Sequence, residues 1–422
     1  MDEVGGGLQP RPVVWRVFLA FDGMRWHAMQ GGLAEVLPAG VLPVLRGQER
    51  GARRTKDVWV LREDNLDIVG PPVRLAPRLA LRRTSGDLPS RVADNLFWLG
   101  RYVERLDRAA RLVRAALVRL SRGGAMLPRE GLELAVLVRS LHAAGVIGAE
   151  VAGAALPMTL GPALRAALGE AGAVGRLFAS VSALAASVRD RLSADMYATF
   201  TQARLAAQEE AALAAREGGL DGIAHAMAGV SRFSISVAGL AAENMVRGGG
   251  WLFLDLGRRL ERAQAVATEV GFAIDQPAAR IEPGLRLALE LCDSAITYRS
   301  RYFNVVQAAP VLDLVLADQG NPRGLAFQLV AMHEALDALD GEDADAGRER
   351  LAASAAGLLA EVESLVGDVL AAGDQAAAAS GVAGRLMAAG DAMAALSDRI
   401  TRRYFALLPE VQTLGVSGVV AA

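Results

Sequence analysis

From Pro89 onward the apolar positions fall into a helical rhythm. Val92, Leu96, Leu99, Val103, Leu106, Ala110, Val113, Leu117 and Leu120 step alternately by four and three residues. That is the heptad spacing of a long helix packed at a shallow angle on its neighbours. Pro89 and Ser90 suit its start. A second stripe, Phe253, Leu256, Leu260, Ala263, Ala267 and Val270, keeps the same phase. Leu325, Leu329, Met332, Leu336 and Leu339 follow Asn321-Pro322, read as an N-cap with proline at the first helical position. Leu351, Ala355, Leu358, Val362, Leu365 and Val369 form another helix, and weaker patterns occupy 129–144, 173–209, 220–246, 284–304 and 382–406. Together they predict a mainly α fold, a multi-helix bundle over 88–408 followed by a tail at 409–422.

The N-terminal pattern differs. Residues 13–21, 25–37 and 57–61 are short β-branched and aromatic runs punctuated by Asp22-Gly23 and Gly31-Gly32. They predict two or three strands within 1–70, too few for an independent domain, so a small β appendage is expected. Arginines crowd 46–83, and residues 71–87, with Pro71, Pro72 and Pro77, are read as a solvated linker in preference to a phosphate contact.

The two leading stripes also carry the same charges. LFWLGRYVERLDR at 96–108 returns as FLDLGRRLERAQA at 253–265, 157 positions later. Leu99, Gly100, Arg101, Glu104 and Arg105 recur as Leu256, Gly257, Arg258, Glu261 and Arg262. A glycine inside a helix costs about 1 kcal/mol relative to alanine, so its recurrence at one phase points to a backbone approached closely by another helix or a ligand. Two readings of the glutamates stand side by side. Either Glu104 and Glu261 converge on one pocket, with Arg101, Arg105, Arg258 and Arg262 as substrate-binding groups, or each glutamate pairs with arginine to fix helix register. A further motif, Arg301-Tyr302-Phe303, matches Arg403-Tyr404-Phe405. Arg301 and Tyr302 are candidate anion-binding residues, although capping of carbonyls and packing near helix ends is the preferred reading. In VRDRLSADMY at 188–197, a helix cap at Ser193 or Asp195 suffices.

Composition narrows the classes. The 422 residues are 52% hydrophobic and 5% aromatic with a net charge of −2, which suits packed helices and gives no global attraction to nucleic acid. Lys56 is the only lysine, so almost all positive charge is arginine. Cys292 stands alone, which excludes an intramolecular disulfide framework and a multi-cysteine zinc site. No signal peptide and no uninterrupted apolar run of about 18 residues is visible, so the expectation is a cytoplasmic chain with no membrane partner.

Few catalytic motifs survive inspection. The histidines at 27, 142, 225 and 333 are preceded three positions earlier by Met24, Arg139, Gly222 and Val330, so the Glu-x-x-His pairs of di-metal bundles are missing. No P-loop, dinucleotide fingerprint or nucleophile elbow is present. No metal or cofactor is expected in this chain.

Four segments in order, LPSRVADNLFWLGRYVER (88–105), ENMVRGGGWLFLDLGRRLERA (243–263), DSAITYRSRY (293–302) and NPRGLAFQL (321–329), resemble the bacterial alpha-E domain. RPVVWRVFLAF, MQGGLAEVL and TKDVWVL within 10–61 are similar to the extreme C-terminal part of a circularly permuted ATP-grasp protein. The resemblance implies an accessory or binding component of an ATP-grasp peptide or amide ligase, a carboxylate–amine ligase system. ATP and Mg would belong to the ligase body, which is expected to be missing upstream of Met1. Implied partners are that body, companion peptide-ligase or transglutaminase-like proteins, and a second copy of the chain in a homo-oligomer. The glutamates of the family motif map to Glu104 and Glu261. The chain alone is expected not to be catalytic. The alternatives are an enzyme in its own right using Glu104 and Glu261 as acid and base, or an inert scaffold from a truncated gene.

Overall fold

A computed structural model describes residues 2–4, 7–29, 31–38, 54–60, 88–153, 158–340 and 350–405. The chain divides into two units, 1–81 and 82–422. The expected linker at 71–87 and the tail at 409–422 lie outside the described residues.

The N-terminal unit holds short antiparallel ladders. β1 (Asp2–Val4) pairs with β2 (Gly7–Gln9), while β3 (Val13–Trp15), β6 (Gly32–Val36) and β7 (Arg54–Val58) form a sheet in the order β3-β6-β7. β4 (Leu19–Phe21) and β5 (Trp26–Ala28) make a hairpin. Its turn is the expected one, with Asp22 Oδ1 accepting from the Met24 and Arg25 amides, both at 2.8 Å, and Gly23 at φ +97°. Ala34 and Val36 are buried, whereas Phe18, Phe21, Trp26 and Trp59 are exposed. The pairing of 2–9 was not legible in the sequence.

The second unit is a helical bundle made of two matching halves. The first contains α1 (Ser90–Leu120), α2 (Pro128–Ala143), α3 (Ala149–Ala152), α4 (Leu160–Leu168), α5 (Ala173–Ser187), α6 (Ala194–Glu217) and α7 (Leu220–Asn244). The second contains α8 (Gly249–Ile274), α9 (Ile281–Leu291), α10 (Ala295–Tyr302), α11 (Ala308–Leu312), α12 (Leu325–Asp340), α13 (Leu351–Ala371), α14 (Gln375–Gly381) and α15 (Ala383–Tyr404). The offset of 157 that relates α1 to α8 carries α5, α6 and α7 onto α12, α13 and α15, and α2 onto the end of α9 and most of α10. Residue Ala194, which opens α6, falls on Leu351, which opens α13. Packing follows the same correspondence: α1 lies against α2, α5 and α7, and α8 against α9, α12 and α15. The internal repeat is therefore a duplication of the whole half, of which the charged motif is the best-preserved part.

The heptad stripes form the core. Leu96, Leu99, Val103, Leu106, Ala110, Val113, Leu117 and Leu120 of α1 are buried, as are Phe253, Leu256, Leu260, Ala263, Ala267 and Val270 of α8. Two boundaries differ from the sequence reading. The pattern at 173–209 is broken at Arg189–Arg191, and α6 restarts with Ser193 Oγ accepting from the Met196 amide. The pattern at 284–304 breaks at Asp293, which adopts φ +51°. Among the described residues α7 alone has the length and apolar character of a membrane span, and half of its most apolar window is buried in the bundle.

Candidate functional site

The duplicated motifs meet. α1 and α8 run parallel, because their partners rise together along the chain, from Phe97 against Gly257 to Arg108 against Glu269. The glycines set the approach. A Cβ on Gly100 would overlap the Leu254 carbonyl oxygen, and one on Gly257 would overlap the Phe97 carbonyl oxygen. Phe97 and Leu254 are themselves related by 157 residues, so the crossing has an approximate twofold axis. Only glycine admits this contact without moving a helix.

The same axis governs the charges. Arg101 and Arg105 of α1 donate through Nε to the two oxygens of Glu261 at 2.8 and 2.9 Å. Arg258 and Arg262 of α8 donate through Nε to the two oxygens of Glu104 at 3.2 and 3.0 Å. Each half thus supplies the carboxylate that neutralises the other half's arginines. Both glutamates are buried. Burial pushes the Glu261 carboxyl up, but Arg101 and Arg105 outweigh it and hold the group below its ordinary range. The sequence candidates Arg101, Glu104, Arg105, Arg258, Glu261 and Arg262 therefore belong to one network. The two glutamates share no arginine, and the axis places them on opposite flanks of the helix pair.

Around this centre lie residues that the sequence reading did not single out. Arg101 reaches Ser397 Oγ at 2.8 Å and Gln264 Oε1 at 3.2 Å, and its guanidinium stands 4.7 Å from the Trp98 ring centre. Asp255 accepts from Arg258 and Arg259. Asp107 accepts from Arg111 at 2.9 Å and Arg323 at 2.7 Å. Burial raises the Asp107 carboxyl, and these two arginines more than reverse it. In contrast, burial keeps Glu269 above the ordinary carboxylate range despite Arg108. The intrahelical spacings Asp107–Arg111 and Asp255–Arg259 were visible signals, whereas the contacts with Ser397, Gln264 and Arg323 were not.

The flanks are finished differently. On the Glu104 side the segment 321–324 lies over the network. Arg262 Nη1 donates to the Pro322 carbonyl at 3.3 Å, and Gln328 Nε2 donates to the same oxygen at 2.8 Å. Asn321 holds that segment by donating to Ser294 Oγ and the Leu314 carbonyl at 3.0 and 2.8 Å. The expected N-cap at Asn321-Pro322 is corrected in its reach: Asn321 Oδ1 does accept from the Arg323 amide at 3.1 Å, but the chain makes a turn there and α12 starts only at Leu325. On the Glu261 side no such segment intervenes among the described residues, and Tyr102, Arg105 and Glu261 line a cavity.

The remaining candidates lie elsewhere. Arg301 pairs with Asp318 at 2.7 Å on the surface, and Tyr302 stacks beside Tyr298. Neither joins the arginine–glutamate network. The matching Tyr404 and Phe405 pack against Phe253, and Phe405 also meets Phe97, so that copy closes the core at the start of α1 and α8. Cys292 is buried and its thiol is pushed up to about 12 by burial, a poor nucleophile. Among the described residues no group of three or more His, Cys, Asp or Glu could hold a metal.

A duplicated helical domain centred on paired Glu-Arg dipeptides defines the class. The chain belongs to the Alpha-E family, described as a predicted alpha-helical domain with a conserved ER motif, which it matches over residues 88–405. Glu104-Arg105 and Glu261-Arg262 fit that description. Uncharacterized proteins of Mycobacterium bovis and Mycobacterium tuberculosis are each 28% identical over 365 residues, covering 82% of this chain. The chain spans only 40% of the length of those relatives. No solved structure matches it.

Proposed function

We propose that this chain is a binding component, not catalytic by itself, of an ATP-grasp-type carboxylate–amine ligase system. Its helical domain engages substrate, product or the ligase body, and ATP and Mg act on that body. Companion peptide-ligase or transglutaminase-like proteins are its other partners.

The observation that carries the reading is the N-terminal unit. Its short ladders bury Ala34 and Val36 while Phe18, Phe21, Trp26 and Trp59 remain exposed. A sheet with so little core of its own supports a larger body covering it, in keeping with its likeness to the end of an ATP-grasp domain. The greater length of the relatives supports the same view, since in them the matched region is one part of a longer protein. The ion pairs weigh against the rival in which Glu104 and Glu261 act as acid and base. A general base needs an available oxygen and a pKa near the working pH, yet Glu261 has both oxygens held by arginine and its carboxyl pulled down.

The test is reconstitution with the purified ATP-grasp ligase encoded in the same genome. The expected result is a complex, weakened by Phe18→Ser and Trp26→Ser, that changes ATP-dependent amide formation. Absence of both association and any effect on ligation would overturn the proposal.

A further inference from the structure

On the open flank, α1, the turn after α2, and the start of α5 enclose a cavity of about 500 Å³, within the range of small-molecule sites. Among the described residues, Arg105, Arg108 and Arg176 line it, against one carboxylate, Glu261. We infer that this cavity is a binding site for a small organic anion, whose carboxylate or phosphate group sits among these three arginines.

The hydrogen-bond inventory points there. Arg105 spends only its Nε on Glu261, and its guanidinium lies 5.3 Å from the Tyr102 ring centre. Its terminal nitrogens have no acceptor among the described residues. Arg108 gives its Nε to Glu269 at 2.7 Å, its Nη2 is sealed from solvent without a partner, and its Nη1 has no acceptor among the described residues. Arg176 donates to the Ala171 carbonyl from an exposed position on α5. Arginines so placed offer forked donors that match the oxygens of carboxylate or phosphate. Glu261 is shared between Arg101 and Arg105 and Glu269 takes Arg108, which leaves Arg176 without a carboxylate among the described residues.

The duplication supplies an internal comparison. Arg262, the counterpart of Arg105, grips Glu104 through both Nε and Nη2 and finds a further acceptor for Nη1 in the Pro322 carbonyl. The counterpart of Arg108 is Ala265. The closed flank therefore has a built-in acceptor and no counterpart of Arg108, while the open flank has donors without acceptors and a cavity. A ligand oxygen there takes the part that Pro322 plays on the other side. Ala143, Ala173 and Leu177 complete the wall, so the anion carries a compact apolar body. This inference stands apart from the ligase reading.

Calorimetric titration of the full chain at low ionic strength tests it. The probes are phenyl phosphate, benzoate and the neutral benzyl alcohol. At least one anion is expected to bind and benzyl alcohol is not; binding of phenyl phosphate alone assigns a phosphate ester, and of benzoate alone a carboxylate. Arg176→Ala, at an exposed position that leaves the melting transition in place, should weaken binding at least tenfold, and Arg176→Glu should abolish it. Failure of both anions to bind, equal binding of benzyl alcohol, or affinity unchanged in both Arg176 variants would overturn the assignment.

Discussion

The two flanks of the α1–α8 pair began as copies and are now unequal. Each has a buried glutamate held by two arginines of the opposite helix. The Arg262 side chain is 13% exposed under the 321–324 segment, whereas its counterpart Arg105 is 34% exposed at the cavity. The difference separates two roles within one motif. What the flanks share, the glycine crossing and the reciprocal ion pairs, holds the halves together. What they do not share, the cavity with Arg108 and Arg176, is where a ligand finds donors. A residue's membership of the family motif is thus a statement about architecture first.

The largest effects should come from the shared part. Glu104→Gln and Glu261→Gln each leave two arginines facing a neutral amide, and breaking buried pairs in this way costs about 3–5 kcal/mol. Water reaches Arg105 more readily than Arg262, so Glu104→Gln should be the more damaging in urea denaturation. Equal losses would erase the distinction between the flanks. At the crossing, where the geometry is symmetric, no such inequality is expected. Gly100→Ala and Gly257→Ala should each cost about 1–3 kcal/mol through overpacking, despite a gain of about 1 kcal/mol in helix propensity. Unequal melting shifts for this pair would show that the twofold relation fails at its centre.

The architecture was legible because it is periodic. An apolar residue every three or four positions admits few alternatives to a buried helix, and Gly100 and Gly257 at one phase announced a close approach before the helix partner was known. The exchange of charges was not legible. Along one helix, Glu104 has Arg101 and Arg108 at suitable spacing, and nothing in that spacing says that Arg258 and Arg262 will claim it. Asn321-Pro322 was placed too close to the helix: Asn321 Oδ1 accepts from the Arg323 amide as a cap does, but Nδ2 ties the residue to Ser294 and Leu314 and the helix begins only at Leu325. Arg176 comes from a segment with no motif, and only the tertiary packing of α5 on α1 brings it to Arg105. Fold follows from pattern within segments, while a cavity depends on which segments meet.

A more local perturbation should convert the closed flank toward the open one. Asn321→Ala removes three hydrogen bonds that hold the 321–324 segment, at a cost of about 1–3 kcal/mol. Amide exchange should accelerate at 321–328 and stay unchanged at 97–108. Acceleration across both helices would mean that the segment supports the crossing itself, and that the flanks are not independent.

The smallest effect concerns the two carboxylates that face the open flank's arginines and titrate in opposite directions. Burial raises Glu269 above its unfolded value in spite of Arg108, so its favourable contribution is complete below about pH 4.3, the unfolded value, and is lost as pH rises through the folded one. Arg101 and Arg105 lower Glu261, so its contribution is present above about pH 4.3 and disappears as pH falls through its folded value. Glu269→Gln keeps an oxygen for Arg108 and should change stability by no more than about 1 kcal/mol at neutral pH. Relative to this variant, the native chain should gain stability as pH drops from neutral toward about 4.3, and both should weaken together at lower pH as Glu261 protonates. Urea midpoints measured from pH 3 to 7 resolve the two limbs. If Glu269→Gln leaves the upper limb in place, Glu269 is not its source, and Arg108 is better neutralised than its unpartnered Nη2 implies.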